Sequence, residues 1–562
     1  MQLPPRRFLL LLILAAVPAA PAPPADSWFE ERAQQLGVDF VHRSGAAGHF
    51  YMPEVMGPGL ALLDADGDGD LDLFFVQGGD LDHPSTAGAG HRLFRNQLVE
   101  TGSLRFVDVT AGSGLHACAY GMGAAAGDFD NDGRTDLYVT CLGSNQLWHN
   151  EGPGAGGNSR FRDVTRESGA DDERWSVSAA FLDYDRDGWL DLYVGNYLRF
   201  STASHKPCRT HTGEPDYCGP VAGDAVPGRL LHNRGNGTFE DVTQRSGLAS
   251  AFGPGLGVSA FDFDGDGWTD IYVANDRSEN QLWINAHDGT FRNEALLNGC
   301  ALSGEGKALA SMGIDAGDYD GDGDLDLVMT NFIGEGISLY RIGGGMCEDV
   351  SIASGLRAPS LPYNGFGIAW FDVDNDGWLD LLAVNGAVAV LPEQVKKGEP
   401  LPPRQSKQMF HNLASGRFEE ATARGGPALQ VPEVSRGAAF GDLDNDVDTD
   451  VVIANVDGPA RVLLNQVGSR RRWAGVRLVA SQRDALGALV ILERQSGPPL
   501  VRLCRAGGSY ATANDPRVLF GLDDGAAVQR VVVHWPSGRR EGFAAVPEGR
   551  YTSLQEGTGT PP

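Results

Sequence analysis

The nine residues DADGDGDLD at 64–72 recur six more times in recognisable form. The copies are DFDNDGRTD at 128–136, DYDRDGWLD at 183–191, DFDGDGWTD at 262–270, DYDGDGDLD at 318–326, DVDNDGWLD at 372–380 and DLDNDVDTD at 442–450. Each copy puts carboxylates at positions 1, 3, 5 and 9, a spacing that wraps a short turn around one hard cation. Calcium takes six to eight oxygen ligands at about 2.3–2.6 Å, and such a loop supplies them. The side chains so placed are Asp64, Asp66, Asp68 and Asp72 in the first loop, and Asp128, Asp130, Asp132 and Asp136 in the second. The third offers Asp183, Asp185, Asp187 and Asp191, and the fourth Asp262, Asp264, Asp266 and Asp270. Asp318, Asp320, Asp322 and Asp326 follow, then Asp372, Asp374, Asp376 and Asp380, then Asp442, Asp444, Asp446 and Asp450. Six of the seven loops carry Gly at position 6, where a sharp turn favours positive φ. Val447 takes that place in the seventh, so a strained turn and a doubtful metal site are expected there.

The loops start 63 residues apart on average, which calls for a repeat architecture. A run of small and apolar residues precedes each loop (GMGAAAG at 121–127, GLGVSAF at 255–261, GFGIAWF at 365–371), and a β-type run such as DLFFV or DIYVA follows it. A third element reads NQLWHN at 145–150, GRLLHN at 228–233 and KQMFHN at 407–412; a fourth reads FVDVTAGSGL at 106–115 and FEDVTQRSGL at 239–248. Four strand-like runs per repeat, seven times over, predict an all-β, seven-bladed β-propeller across 28–465. The acid loop then joins the two innermost strands, where crowding near the axis selects small residues. WFEERAQQLGVDF at 28–40 resembles the fourth element and is expected to supply the outer strand of the last blade, closing the ring against exposed edges. EF-hand loops are excluded: position 12 is Phe75, Val139, Val194 and Val273 in the first four copies, where an EF-hand needs Glu. The glycines of GMGAAAG lead into an acid loop rather than a helix, which excludes a dinucleotide site.

With 562 residues the chain exceeds the usual single domain, and 76 Gly with 31 Pro make it loop-rich. The net charge of −29 lies largely in the acid loops, and seven divalent ions would bring it to −15. No basic stripe with interleaved aromatics appears, so nucleic acid is not an expected partner; the run Arg470–Arg472 reads as a solvated linker. Arg6 and Arg7 before the apolar run Phe8–Val17, then small residues and Pro to Ala25, read as an export signal over 1–25. That run is too short to span a membrane, so a secreted or periplasmic protein is expected. Among seven cysteines, Cys208 and Cys218 flank a short polar insert and are expected to pair, with zinc on His205, Cys208, His211 and Cys218 as the alternative. Cys118 with Cys141 and Cys300 with Cys347 are further pairings, leaving Cys504 free.

His149, His232 and His411 recur at equivalent places in separate blades, and packing or hydrogen bonding explains them better than catalysis. Trp148, Trp189, Trp268, Trp283 and Trp378 are read as packing residues on the same ground. From about Arg470 the repeat stops. Alternating apolar and polar residues predict a small β domain over 470–550, and 551–562 is expected to be a disordered tail.

Taken together, the loops and their G/A-x-x-D-x-D-x-D-G-x-x-D frame resemble the FG-GAP/VCBS repeats of integrin-α-type propellers. RDALGA at 483–488, RAGGSY at 505–510, FGLDD at 520–524 and VHWPSG at 533–538 look like an ASPIC/UnbV domain. The two together resemble secreted bacterial relatives of the cartilage acidic protein family. That resemblance implies a Ca²⁺-bound propeller used for extracellular binding. It also adds to each ligand set the position-7 carbonyl, which belongs to Asp70, Arg134, Trp189, Trp268, Asp324, Trp378 and Asp448.

Two classes of function compete. The first is a binding or adhesion module for an extracellular protein or glycan, with Asn196, Tyr197, Asn275, Asp276, Arg277, Asn331 and Asn385 as candidate contacts and 199–226 as a specificity insert. The second is a calcium-supported enzyme on polysaccharide, a lyase or hydrolase, for which no HExxH, GxSxG or nucleophile–base pair is visible. An accessory role in a biosynthetic cluster is a third reading.

Overall fold

The computed structural model describes residues 27–83, 90–154, 157–210, 213–388, 404–523, 527–544 and 546–562. The expected export signal and His211 therefore lie outside the described residues. Seven sheets follow one another along the chain, each with four antiparallel strands, and the first takes a fifth, parallel strand at Thr512–Ala513. In the second, Gly121–Gly127 pairs with Asp136–Cys141, which pairs with Gln146–Pro153 and that with Ser159–Asp163. Each acid loop joins a first strand to a second, as expected. The first strands contact their neighbours in a closed circuit, from Leu60–Leu63 through the other six to Ser435–Gly441 and back. Phe29–Glu31 pairs with Arg461–Asn465 as the outer strand of the seventh sheet, so the N-terminal segment does close the ring.

The small residues of the first strands have a specific cause. Five residues before the loop stand Gly59, Gly123, Gly257, Gly313, Gly367 and Gly437, with Ser178 in the third blade. A Cβ on Gly123 would lie 2.5 Å from the Val177 carbonyl, and one on Gly367 would lie 2.9 Å from that of Arg436. Neighbouring blades thus approach backbone to backbone at this level, which only a residue without a side chain permits.

A second device stitches the blades together. In or at the end of the third strand stand Asn96, Asn150, Asn233, Asn285, Asn412 and Asn465 in six blades, with Ile342 in the fifth. Asn233 Nδ2 donates to the Phe129 carbonyl of the preceding blade at 2.7 Å and to Leu190 O of its own loop at 2.9 Å. The same bridge runs from Asn96 to Leu443, Asn150 to Ala65, Asn285 to Tyr184, Asn412 to Tyr319 and Asn465 to Val373. Only the junction between the fourth and fifth blades lacks it among the described residues.

The remaining chain forms two four-stranded sheets, one around Trp473–Ala480 and one around Leu489–Arg494. Its apolar core (Val476, Val490, Val531, Trp535) is continuous with Phe181 and Leu190 of the third blade. The expected disorder of 551–562 is not found. Tyr551–Gln555 forms a strand parallel to Trp473–Ala480, and Thr560 bridges to Gly542, because five ladder pairs satisfy its backbone. The run 470–472 leaves Arg470 and Arg471 exposed, as a solvated linker does, while Arg471 pairs with Asp374 at 3.1 Å and Arg472 with Glu548 at 2.6 Å. Disulfides join Cys118–Cys141, Cys208–Cys218 and Cys300–Cys347, and Cys504 is free and buried.

Removing one stitch tests the packing argument. Asn233→Ala leaves two buried carbonyls without their donor, at about 1–3 kcal/mol each. A loss of about 3 kcal/mol in urea unfolding is expected, against under about 1 kcal/mol for the exposed Asn236→Ala.

Candidate metal centre

Two left-handed residues shape every loop. Position 6 has φ between 86° and 98° in the six glycine loops and 77° at Val447. Position 4 is also left-handed in all seven: Gly67, Gly265 and Gly321, Asn131, Asn375 and Asn445, and Arg186. Gly and Asn tolerate that region best, and they fill position 4 in six of the seven loops. Val447 keeps the hydrogen bond made by the glycines, donating to Asp442 Oδ2 at 3.2 Å. Its left-handed backbone costs about 1–2 kcal/mol, and the burial of its side chain repays about as much.

The carboxylates fall into distinct roles. Position 1 caps the turn from below: Asp128 accepts from Gly133 N at 2.8 Å, and Asp372 from Gly377 N at 2.7 Å. Position 5 accepts from the position-7 N–H in each loop, as Asp132 does from Arg134 at 3.0 Å and Asp376 from Trp378 at 2.9 Å. Position 9 is the deepest. Asp72, Asp136, Asp191, Asp270, Asp326, Asp380 and Asp450 are all buried. Each takes the N–H of the third strand on Oδ1 at 2.7–2.8 Å. Oδ2 takes the N–H of loop position 2, at 3.0 Å from Ala65 in the first loop and 3.1 Å from Phe129 in the second.

Several buried oxygens have no hydrogen-bond partner at all. They include Asp183 and Asp442 at position 1, Asp66, Asp130, Asp320 and Asp374 at position 3, and Asp68 at position 5. Asp64, Asp66 and Asp68 bring one oxygen each within 4.8 Å of one another. Buried carboxylate oxygens without hydrogen-bond donors converging at that distance fit a hard divalent cation. Sequence spacing missed two further donors. The side chains of Asp70 and Asp448, at position 7, are buried, each with one unpartnered oxygen. Asp324, at the same position, is exposed.

The recurring histidines belong to these centres. His149 Nδ1 lies 3.3 Å from Asp136 and 3.4 Å from Asp130, His232 Nδ1 3.1 Å from Asp191, and His411 Nδ1 3.0 Å from Asp380. They hold the position-9 carboxylates and stand in three different blades, which fits the structural reading over the catalytic one. Without a cation, burial first and neighbouring carboxylates next push these acids up. Asp136 and Asp191 rise to about 7, Asp270 to about 8 and Asp326 to about 9.

The C-terminal domain sits on the acid-loop side of the ring, against the second, third, sixth and seventh loops, while Asp264, Asp266 and Asp322 stay exposed. Arg483 donates to Asn131 Oδ1 at 2.9 Å and to the Gly188 carbonyl at 3.3 Å. Arg502 reaches the Gly377 carbonyl at 3.0 Å, and Arg517 reaches Asn445 Oδ1 at 2.7 Å and the Asp442 carbonyl at 2.8 Å. Arg505 grips the buried Asp315 with two nitrogens. Beyond it, residues 506–514 enter the central channel: Ser509 O accepts from Ile314 N at 2.9 Å, Ala511 O from Ala124 N at 3.1 Å, and Thr512–Ala513 pairs with Leu60–Ala61. Tyr510 ends against Phe366 and donates to the Met56 carbonyl.

The candidate contact residues at the other end of the second strands are mostly internal. Asn196, Tyr197, Asn275, Asp276, Asn331 and Asn385 are buried and Arg277 alone is exposed. Asn275 Nδ2 donates to Glu279 O at 2.6 Å and Asn331 Nδ2 to Gly336 O at 2.7 Å, so these amides close turns.

Sequence comparison matches an FG-GAP-like repeat model to 64–139, 128–194, 213–273 and 262–329, and an ASPIC and UnbV model to 478–561. The chain is an FG-GAP repeat protein with an ASPIC and UnbV domain. It is homologous to cartilage acidic protein 1: 25% identical to the mouse protein over 60% of this chain and 50% of that one. The Xenopus tropicalis protein is 24% identical over 87% of this chain and 71% of its own length. The chain thus spans about half to seven-tenths of the curated relatives it matches. Among solved structures, an Agrocybe aegerita lectin recognising non-reducing terminal N-acetylglucosamine aligns with 71% of this chain and 85% of its own, at 15% identity and TM-score 0.35. A rhamnogalacturonan lyase aligns with 73% and 71%, at 14% identity and TM-score 0.36. Neither likeness bears on what this chain does.

Two outcomes follow from this geometry. Asp136, Asp191, Asp270 and Asp326 titrate near 3.9 in an unfolded chain and at about 7 to about 9 when folded without a cation, and Asp72, Asp380 and Asp450 are raised as well. Folding then takes up protons, so the chelated protein should lose stability as pH rises from about 4 to about 9 and level off above it. Calorimetry after chelation should show Tm falling across that window, and an added divalent cation should flatten the slope. Separately, a Cβ on Gly521 would collide with Asp372 and the Asn375 backbone. Gly521→Ala should therefore loosen the C-terminal domain, read as faster proteolysis near 466–472 than in the parent.

Proposed function

We propose that this protein is a secreted, calcium-binding propeller that serves as an extracellular binding module for a protein or glycan. In this reading the side chains at positions 1, 3, 5 and 9 and the position-7 carbonyl of each loop hold the ion. The carrying observation is that buried carboxylate oxygens without a hydrogen-bond partner recur in six of the seven loops. All-oxygen donors of this kind suit Ca²⁺ better than softer metals. Bound calcium neutralises the crowded loops, fixes the inner hairpins and so keeps the ring rigid. Three disulfides accord with an oxidising, extracytoplasmic setting. No helix among the described residues is long and apolar enough to cross a membrane.

With the C-terminal domain seated on the acid-loop side, the ligand face in this reading is the opposite one, where the insert after the third blade's second strand folds over the channel mouth. That insert is held by Cys208–Cys218 and by Tyr217 Oη, which donates to Glu54 at 3.3 Å. Protein and glycan arrays probed with the full chain, with and without chelator, test the proposal. Binding that disappears on chelation and returns with Ca²⁺, without release of product, is the expected result. Product release would make the protein an enzyme instead.

A further inference from the structure

At the channel mouth away from the acid loops lies a cavity of about 210 Å³. Its walls come from four blades and the insert: Met52 and Met56 from the first, Asp276 and Arg277 from the fourth, Met312 and Phe332 from the fifth, Phe366 from the sixth, and Pro220. Its floor is fixed from the other side of the ring, since Tyr510 packs on Phe366 and bonds to Met56 O. Methionine and aromatic walls of this kind accept an apolar group and offer few partners to hydroxyls. The volume is below the roughly 300–1,000 Å³ of sites for whole drug-sized ligands, and suits one large side chain.

Two charged residues edge this apolar cavity. Arg277 is exposed, and its backbone is left-handed with φ 54°, uncommon for a residue other than Gly. Its guanidinium lies over Phe332, 4.9 Å from the ring centre, and makes no hydrogen bond or ion pair among the described residues. The acids around it are engaged elsewhere. Glu335 accepts from Ala310 N at 2.9 Å and Phe332 N at 3.2 Å, and Asp276 Oδ2 accepts from Tyr197 Oη at 2.6 Å. Burial, eased by the Tyr197 hydrogen bond, raises Asp276 to about 6.

We propose that this cavity takes the carboxyl-terminal apolar residue of a protein partner. The terminal carboxylate lies on the Arg277 fork, the last peptide N–H donates to Asp276, and the side chain fills the Met–Phe cavity. A planar guanidinium matches a carboxylate with two parallel hydrogen bonds, and terminal carboxylates are a recurring recognition handle. The inference rests on the binding-module reading and names its site and partner class.

The test uses the calcium-loaded full chain and short N-acetylated peptides ending in Phe or Leu, as free acids and as amides, by calorimetry. The free acids should bind and the amides at least tenfold more weakly, about 1.4 kcal/mol. Arg277→Gln should weaken the acids to the level of the amides while leaving Tm unchanged. Equal binding of acid and amide, or no saturation at about 1 mM peptide, overturns the proposal. Phenylacetate binding as tightly as the peptides overturns the chain-terminus assignment. Array ligands that bind the parent and Arg277→Gln alike in Ca²⁺ sink this cavity alone and leave the binding module standing.

Discussion

A buried carboxylate at the foot of each hairpin carries more of this structure than any other group. The position-9 aspartate accepts one N–H from its own loop and one from the third strand, so a single side chain ties together loop, inner hairpin and middle of the blade. Seven such groups are out of water, and an ionised carboxylate there is costly unless something offsets its charge. Hydrogen bonds offset part of it, and His149, His232 and His411 add to that in three blades. The rest of the cost falls to a cation or to a proton. Each blade is therefore built on a group whose stability depends on what occupies the loop above it.

The ring carries this burden collectively. Backbone contact at the glycines five residues before each loop sets how closely blades approach, and the third-strand asparagine spans to the carbonyl of the neighbouring loop. A loop that loses its shape therefore disturbs the next blade as well as its own. Ile342 marks the one junction without the amide, where apolar contact replaces the bridge.

The C-terminal domain gives the molecule two different faces. Its arginines contact the position-4 asparagine amides and the position-6 carbonyls of the acid loops rather than pairing fully with the carboxylates. This arrangement leaves the buried oxygens free while seating the domain on the acid-loop side, and the 506–514 segment fills what would otherwise be an open channel. Recognition of another molecule is thereby directed to the far mouth, where blade ends, insert and plug converge on apolar walls.

Much of this is legible along the chain because it is local and periodic. DxDxDG spacing, glycine before and within the loops, and four short strands per repeat specify blades through nearest-neighbour chemistry, and seven copies make the pattern secure. The cysteine pairs could be proposed for a similar reason, since each lies within or between adjacent blades. Position 4 is equally local. The role of Asp70 and Asp448, the burial of the asparagines after the second strands, and the docking of Arg483, Arg502, Arg505 and Arg517 join residues up to hundreds of positions apart. No periodicity encodes such contacts. The sequence by itself determined the repeat, its strand order and its acid loops, because these follow from local backbone preferences and spacing. Only the tertiary structure decided which face stays open, because that depends on how a separate domain seats its charges and its plug on the closed ring.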